Sequence, residues 1–236
     1  MLTLQDVHGA YGHSKALHGV NLQIDEGEVV CIVGRNGAGK TSTMRCVVQD
    51  LIRVTQGSVR YKGEELSGLP SHAVVQKGIG YVPEDRRVFA NLTVMENLRV
   101  PRSFQQAGSQ YWTLAGVFRL FPPLEEFKTR LAGNLSGGQQ QMLSIARSLL
   151  TNPVLLLLDE PHEGLAPLVA REMVGAINQL KAAGVSMLIS EQHLHLVHET
   201  ADRIYVLDKG VTVFSGTMAQ FDASPEVAEK YLMVMQ

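Results

Sequence analysis

At 236 residues, with 45% hydrophobic and 19% charged side chains, the chain has the composition of an ordinary globular protein rather than a disordered one. A formal net charge of −2 and the lack of any Lys/Arg run give no electrostatic reason to bind nucleic acid. Cys31 and Cys46 have no metal-ligand spacing and read as reduced buried thiols. Met1-Leu2-Thr3-Leu4-Gln5-Asp6 lacks the charged n-region and apolar core of a signal peptide, and the strongest apolar run, Val154 to Leu158, is far below the roughly 18 residues of a membrane span, so a soluble protein is expected.

Leu2, Leu4 and Val7, then Val20, Leu22 and Ile24, alternate as strands with one buried face do. Glu28 to Val33 reads as a buried strand, followed by a helix from Thr41 that ends before Gly57. Gly57 to Tyr61 and Ile79 to Val82 read as further strands. From Leu92 to Gly133 the pattern turns helical, interrupted by Pro101, Pro122 and Pro123. Met142, Leu143, Ala146, Leu149 and Leu150 give another helix, and Val154 to Leu158 a strand covered on both faces. Met173, Val174, Ile177 and Leu180 share one helical face, and Val185 to Ile189 is a strand. Ile204 to Leu207 and Val211 to Phe214 form a hairpin across Asp208-Lys209-Gly210. Alternating strands and helices predict an α/β fold with a mostly parallel sheet, an N-terminal antiparallel β subdomain and an inserted helical subdomain. One domain spans 1–236, with a core of about 1–91 and 135–236 and a helical lobe of about 92–134.

Gly34-Arg35-Asn36-Gly37-Ala38-Gly39-Lys40-Thr41, between a strand and a helix, is a phosphate-binding loop. Gly34, Gly37 and Gly39 let the backbone curl, so that amides of the loop, Asn36 and Ala38 included, turn toward an anion. Lys40 reaches the β- and γ-phosphates, Thr41 ligates Mg²⁺, and Ser42 adds a phosphate hydrogen bond. Asp159 ends a buried strand, where a carboxylate can hold the Mg²⁺ shell, and Glu160 follows it. Ser136 and Gln139 have capping-box spacing, which puts Leu135-Ser136-Gly137-Gly138-Gln139 at a helix start. A hydroxyl, bare amides and a positive dipole end make that a second phosphate site.

Together these motifs resemble the ATP-binding-cassette (ABC) family, and the resemblance covers essentially the whole chain. It implies a P-loop NTPase core that hydrolyses ATP with Mg²⁺ between two subunits. The signature Ser136, Gly137, Gly138 and Gln139 would then serve the ATP held by the opposite subunit. Glu160 would be the catalytic carboxylate, and Tyr11 would stack on adenine. Glu84 stands where many members have Gln, facing Mg²⁺ and the attacking water. Gln192 stands at the usual switch histidine; it is favoured over the neighbouring His193 because adjacent residues of an extended segment point to opposite sides.

Gly78-Ile79-Gly80-Tyr81-Val82-Pro83-Glu84, Arg86-Arg87-Val88-Phe89, Glu163-Gly164-Leu165-Ala166-Pro167 and Glu191-Gln192 look like the shorter ATPase of branched-chain amino-acid importers. In those ATPases Glu at 84 and Gln at 192 are the usual residues. The implied setting is the cytoplasmic face of the inner membrane, with an identical or related ATPase, membrane permeases and an external solute-binding protein. Permease contact is expected from Glu84 through Asn97. An importer of urea or short amides and a soluble, non-transport cassette are the alternatives. The transported solute does not touch this subunit and leaves no mark in its sequence.

Overall fold

The structure is a computed structural model, and it describes residues 1–101 and 112–232. Strands β1 (Leu2–Tyr11) and β2 (Ser14–Ile24) pair antiparallel, with Leu2 opposite Ile24 and Leu4 opposite Leu22. β4 (Arg53–Tyr61) adds to the other edge of β1, and β5 (Glu64–Glu65) closes a four-stranded antiparallel sheet. The inward residues Leu2, Leu4, Val7, Val20, Leu22, Ile24 and Val59 are all buried; the period-two alternation slips by one residue between Leu4 and Val7, at a bulge where Asp6 takes positive φ.

The second sheet runs in the order β10-β9-β3-β8-β7-β6. Its parallel strands are β3 (Val29–Val33), β6 (Ile79–Val82), β7 (Leu155–Asp159), β8 (Ser186–Glu191) and β9 (Arg203–Asp208). β10 (Val211–Thr217) pairs antiparallel with β9 at one edge. Both faces are covered, which is why β3 and β7 are continuous apolar runs. Val29, Cys31, Val33, Leu156 and Leu158 face one core, while Val30, Ile32, Leu155 and Leu157 face the other.

Helix α1 (Lys40–Val48) fills the second core through Met44, Cys46, Val47 and Val48, between the two sheets. It ends before Gly57, as expected. Gln49 and Leu51 both take positive φ, ending the helix, and β4 already begins at Arg53. α2 (Ser71–Gln76) covers the sheet near β6 and was not anticipated, being one and a half turns with a single buried residue, Val74.

The helical region holds α3 (Val94–Arg99), α4 (Leu114–Leu120) and α5 (Pro122–Glu126), the last begun by a proline at its first position. Among the described residues it contains no strand, only one isolated bridge, Thr93 with Leu131. These helices pack on the first core, together with α6 (Gly137–Leu149), α7 (Pro167–Ala182) and α8 (Leu194–Thr200). α9 (Met218–Asp222) and α10 (Pro225–Tyr231) extend the fold beyond β10. Pro101, one of the three prolines read as helix breakers, is the last described residue before 112.

Candidate active site

The carboxyl ends of β3, β6, β7 and β8 come together beside the start of α1, and a cleft of about 580 Å³ opens there. Its walls carry Asn36, Gly37, Ala38, Gly39, Lys40, Thr41 and Ser42 from the loop after β3. Glu84 follows β6, Glu160 and Glu163 follow β7, and Gln192 follows β8. Gly39 caps α1 with φ of 106°, a conformation strained for any other residue, and no side chain covers the first-turn amides. Those N–H groups therefore face the cleft with the positive end of the helix behind them.

Lys40 is 4% exposed, and its Nζ donates to the carbonyls of Gly34 at 2.8 Å and Arg35 at 3.3 Å. It also lies 3.1 Å from Glu160 Oε1. Asp159 is fully buried. Its Oδ1 accepts from Thr41 Oγ1 at 3.1 Å and Ser190 Oγ at 2.7 Å, and its Oδ2 from the Tyr81 hydroxyl at 3.0 Å. Burial raises the pKa of Asp159 above the usual carboxylate range, against the pull of those three hydrogen bonds. Glu84 is raised too, first by burial and then by the charges of Glu160, Asp159 and Glu163. The site therefore gathers several carboxylates whose mutual repulsion a cation would relieve. Thr41 and Asp159, in contact at 3.1 Å, are hard oxygen donors of the kind Mg²⁺ takes.

Glu160 has φ of 46°, unusual for a residue with a side chain, and its N–H donates to Ser190 Oγ at 2.8 Å. Gln192 Nε2 donates to Glu160 Oε2. His193 instead caps α8, its ring 5.8 Å from that of His195. Tyr11 sits at the end of β1 and donates its hydroxyl to Ser42 Oγ at 3.3 Å.

The five residues 135–139 stand apart from this cleft. Ser136 Oγ accepts from Gln139 N at 3.3 Å, and Gln139 Oε1 accepts from Ser136 N at 2.9 Å, completing the predicted capping box of α6. Gly138 also has a packing reason that the sequence did not disclose, and Gly137 lies against the far end of the flexible Arg86 side chain. A Cβ on Gly138 would lie 2.4 Å from Val169 Cγ1 of α7, and one on Gly137 would lie 2.7 Å from Arg86 Nη1. Arg86 also reaches the Glu163 carbonyl at 3.4 Å, so it ties the α6 start to the loop behind Glu160.

Sequence reasoning missed several lining groups, namely Lys15, Ala16, His18, Glu163 and Lys209. Lys209 lies in the β9–β10 turn, which was read only as a turn. Gly210 N donates to the Ala38 carbonyl and His18 N to the Gly210 carbonyl, both at 2.8 Å, so that turn buttresses the phosphate loop.

A second cavity, of about 840 Å³, lies between α2, α6 and the loop after β6. Its walls include His72, Val75, Arg86, Arg87 and Arg147. Asn97 is fully buried in α3 and ties that helix to the segment before it. Its amide donates to the carbonyls of Phe89, Leu92 and Thr93, and its Oδ1 accepts from Phe89 N. Arg147 donates to the Arg87 carbonyl at 2.8 Å and stacks 4.4 Å over the Phe89 ring, and burial lowers its pKa.

The ABC transporter family model matches residues 17–163, which span the phosphate loop, the signature and both carboxylates. The chain belongs to the ABC transporter family. The cassette is 43% identical to the branched-chain amino acid transport ATP-binding protein BraG of Pseudomonas aeruginosa, over 98% of this chain and 99% of that protein. It is 33% identical to the lipopolysaccharide export ATP-binding protein LptB of Haemophilus influenzae, over 98% and 97%. Its fold matches a nucleotide-free ATP-binding cassette with a TM-score of 0.82 and 26% identity, covering 100% of this chain and 99% of that one. A dimeric cassette in a post-hydrolysis state with ADP and Pi gives 0.80 and 26%, over 92% and 99%. The chain is thus an ATP-hydrolysing cassette with the α/β fold of P-loop NTPases. Among the described residues no helix is long and apolar enough to cross a membrane.

Proposed function

We propose that this cassette hydrolyses ATP to drive amino-acid import, of branched-chain or other hydrophobic solutes, through a partner permease on the cytoplasmic face of the inner membrane. An external binding protein would deliver the solute, and a second cassette, identical or related, would complete each ATP site. The observation that carries this reading is the 43% identity to BraG across nearly the whole of both chains. The second cavity, flanked by exposed Val75, Phe89 and Val100, is the surface on which a permease segment would seat.

In the reaction, the uncapped amides of α1 and the Lys40 ammonium hold the β- and γ-phosphates, the ammonium leaving Glu160 as it does so. Thr41, Asp159 and Glu84 would hold Mg²⁺, which when bound offsets the charge of the triphosphate. Glu160 accepts the proton of the attacking water, a role typically worth about 10²–10⁴-fold. Gln192 steadies that carboxylate and donates to the γ-phosphate, and the Tyr11 ring supports adenine. Ser136, Gly137, Gly138 and Gln139 present hydroxyl and amide donors to the ATP on the opposite subunit.

Reconstitution with its permease tests this reading. ATP-dependent uptake of leucine or valine, stimulated by a loaded binding protein, is expected. Uptake of urea or amides alone would reassign the solute. The likeness to LptB favours one second reading, an export ATPase. Co-purification with a lipopolysaccharide-export permease and no amino-acid uptake would establish it instead.

A further inference from the structure

The loop that follows Glu160 carries a histidine that plays no part in the reaction above. His162 is 5% exposed, and its Nδ1 lies 2.6 Å from Oε2 of Glu191, itself 4% exposed at the end of β8. The other oxygen of Glu191, Oε1, accepts the backbone N–H of Gln192 at 2.8 Å and of His193 at 3.0 Å. Both oxygens are thus acceptors, so Nδ1 carries the hydrogen and donates it. Nε2 is buried with no hydrogen-bond partner among the described residues. The ring is therefore held through Nδ1 alone. Burial alone would raise the pKa of Glu191, but the hydrogen bonds from His162, His193 and Gln192 hold it below the usual carboxylate range.

These contacts form a closed ring. Glu160 leads through Pro161 to His162, His162 bonds Glu191, Glu191 fixes the turn at Gln192, and Gln192 Nε2 returns to Glu160 Oε2. The residue at its centre, Glu160, holds a positive φ that only its surroundings can maintain.

We propose that His162 is a positioning residue for hydrolysis, fixing through Glu191 the turn that holds Gln192 against the Glu160 carboxylate. The proposal rests on Glu160 and Gln192 serving the chemistry, as read above. It concerns orientation, so it predicts a loss in turnover rather than in nucleotide binding.

The test uses the full chain with MgATP and compares wild type with His162→Ala, His162→Asn, His162→Gln and Glu160→Gln. The amide nitrogen of Asn falls near Nδ1, and that of Gln near Nε2. His162→Ala is expected to lower kcat about tenfold, with KM for ATP within about twofold, because small misplacements of a reacting group are costly. Asn should restore most of kcat and Gln should not. An unchanged kcat in His162→Ala, a KM rise matching the kcat loss, or equal recovery by Asn and Gln would each overturn the proposal. If His162→Ala does not fold, the Asn and Gln pair decides alone. Near-wild-type turnover by Glu160→Gln would instead overturn the reading of Glu160 on which the proposal stands. Loss in Glu160→Gln beside full activity in His162→Ala rejects His162 only.

Discussion

Two helix starts in this cassette carry glycines, and they are built in opposite ways. α1 begins at Gly39 with no side chain over its amides, inside a cleft lined by Lys40 and several carboxylates. α6 begins at Ser136, whose side chain and that of Gln139 satisfy two of the donors there, Gln139 N and Ser136 N, reciprocally. The first leaves its amides uncapped in an open cleft. The second is a self-capped end whose spare donors are the Ser136 hydroxyl hydrogen and the Gly137 and Gly138 amides. On the function proposed above, the open cleft and the donor patch would be two halves of one site, joined by two subunits arranged head to tail.

The largest effect should come from the cleft. Glu160→Gln should lower kcat by about 10²-fold or more while ATP still binds, measured by steady-state hydrolysis beside a nucleotide-binding titration. Gln192→Ala should follow with a loss of about tenfold, because it frees the Glu160 carboxylate, whereas His193→Ala should stay close to wild type. The reverse order would move the switch role to His193.

On the α6 side, Ser136→Ala removes the cap and should cost about 1 kcal/mol, read as a fall of roughly 2–4 °C in Tm. It should also slow hydrolysis without weakening ATP binding to the isolated chain. A loss of binding equal to the loss of rate would join the two starts into one site and break the comparison.

The smallest effect is in the acid limit. Glu191 has a depressed folded pKa, so its stabilisation is present above the unfolded value and is lost as pH falls through the folded one. Thermal unfolding midpoints should therefore drop below about pH 4.3, and Glu191→Gln should flatten that part of the curve.

The parts legible in the sequence are those whose chemistry is local. The phosphate loop, Asp159-Glu160 at a strand end and the Ser136–Gln139 capping box are each written in a few adjacent residues, and each sits on the element expected. The β9–β10 hairpin and the period-two faces of β1 and β2 are legible for the same reason. What escaped depends on distant partners. His162 and Glu191 are 29 positions apart and meet only because β7 and β8 are neighbours. Gly138 needs to be small because of Val169, and Lys209 lines the cleft because its turn rests on Ala38. The exact end of α1 is a backbone choice at Gln49 and Leu51, neither of which is a helix breaker by type.

The central claim, that the two starts complete one another across a dimer, is tested most directly by sedimentation of the Glu160→Gln variant, in which ATP persists. The account predicts a monomer without nucleotide, a dimer with MgATP, and a return to monomer when Ser136→Arg is added, with ATP still bound. A chain that stays monomeric at saturating ATP, or a dimer indifferent to Ser136→Arg, would contradict it.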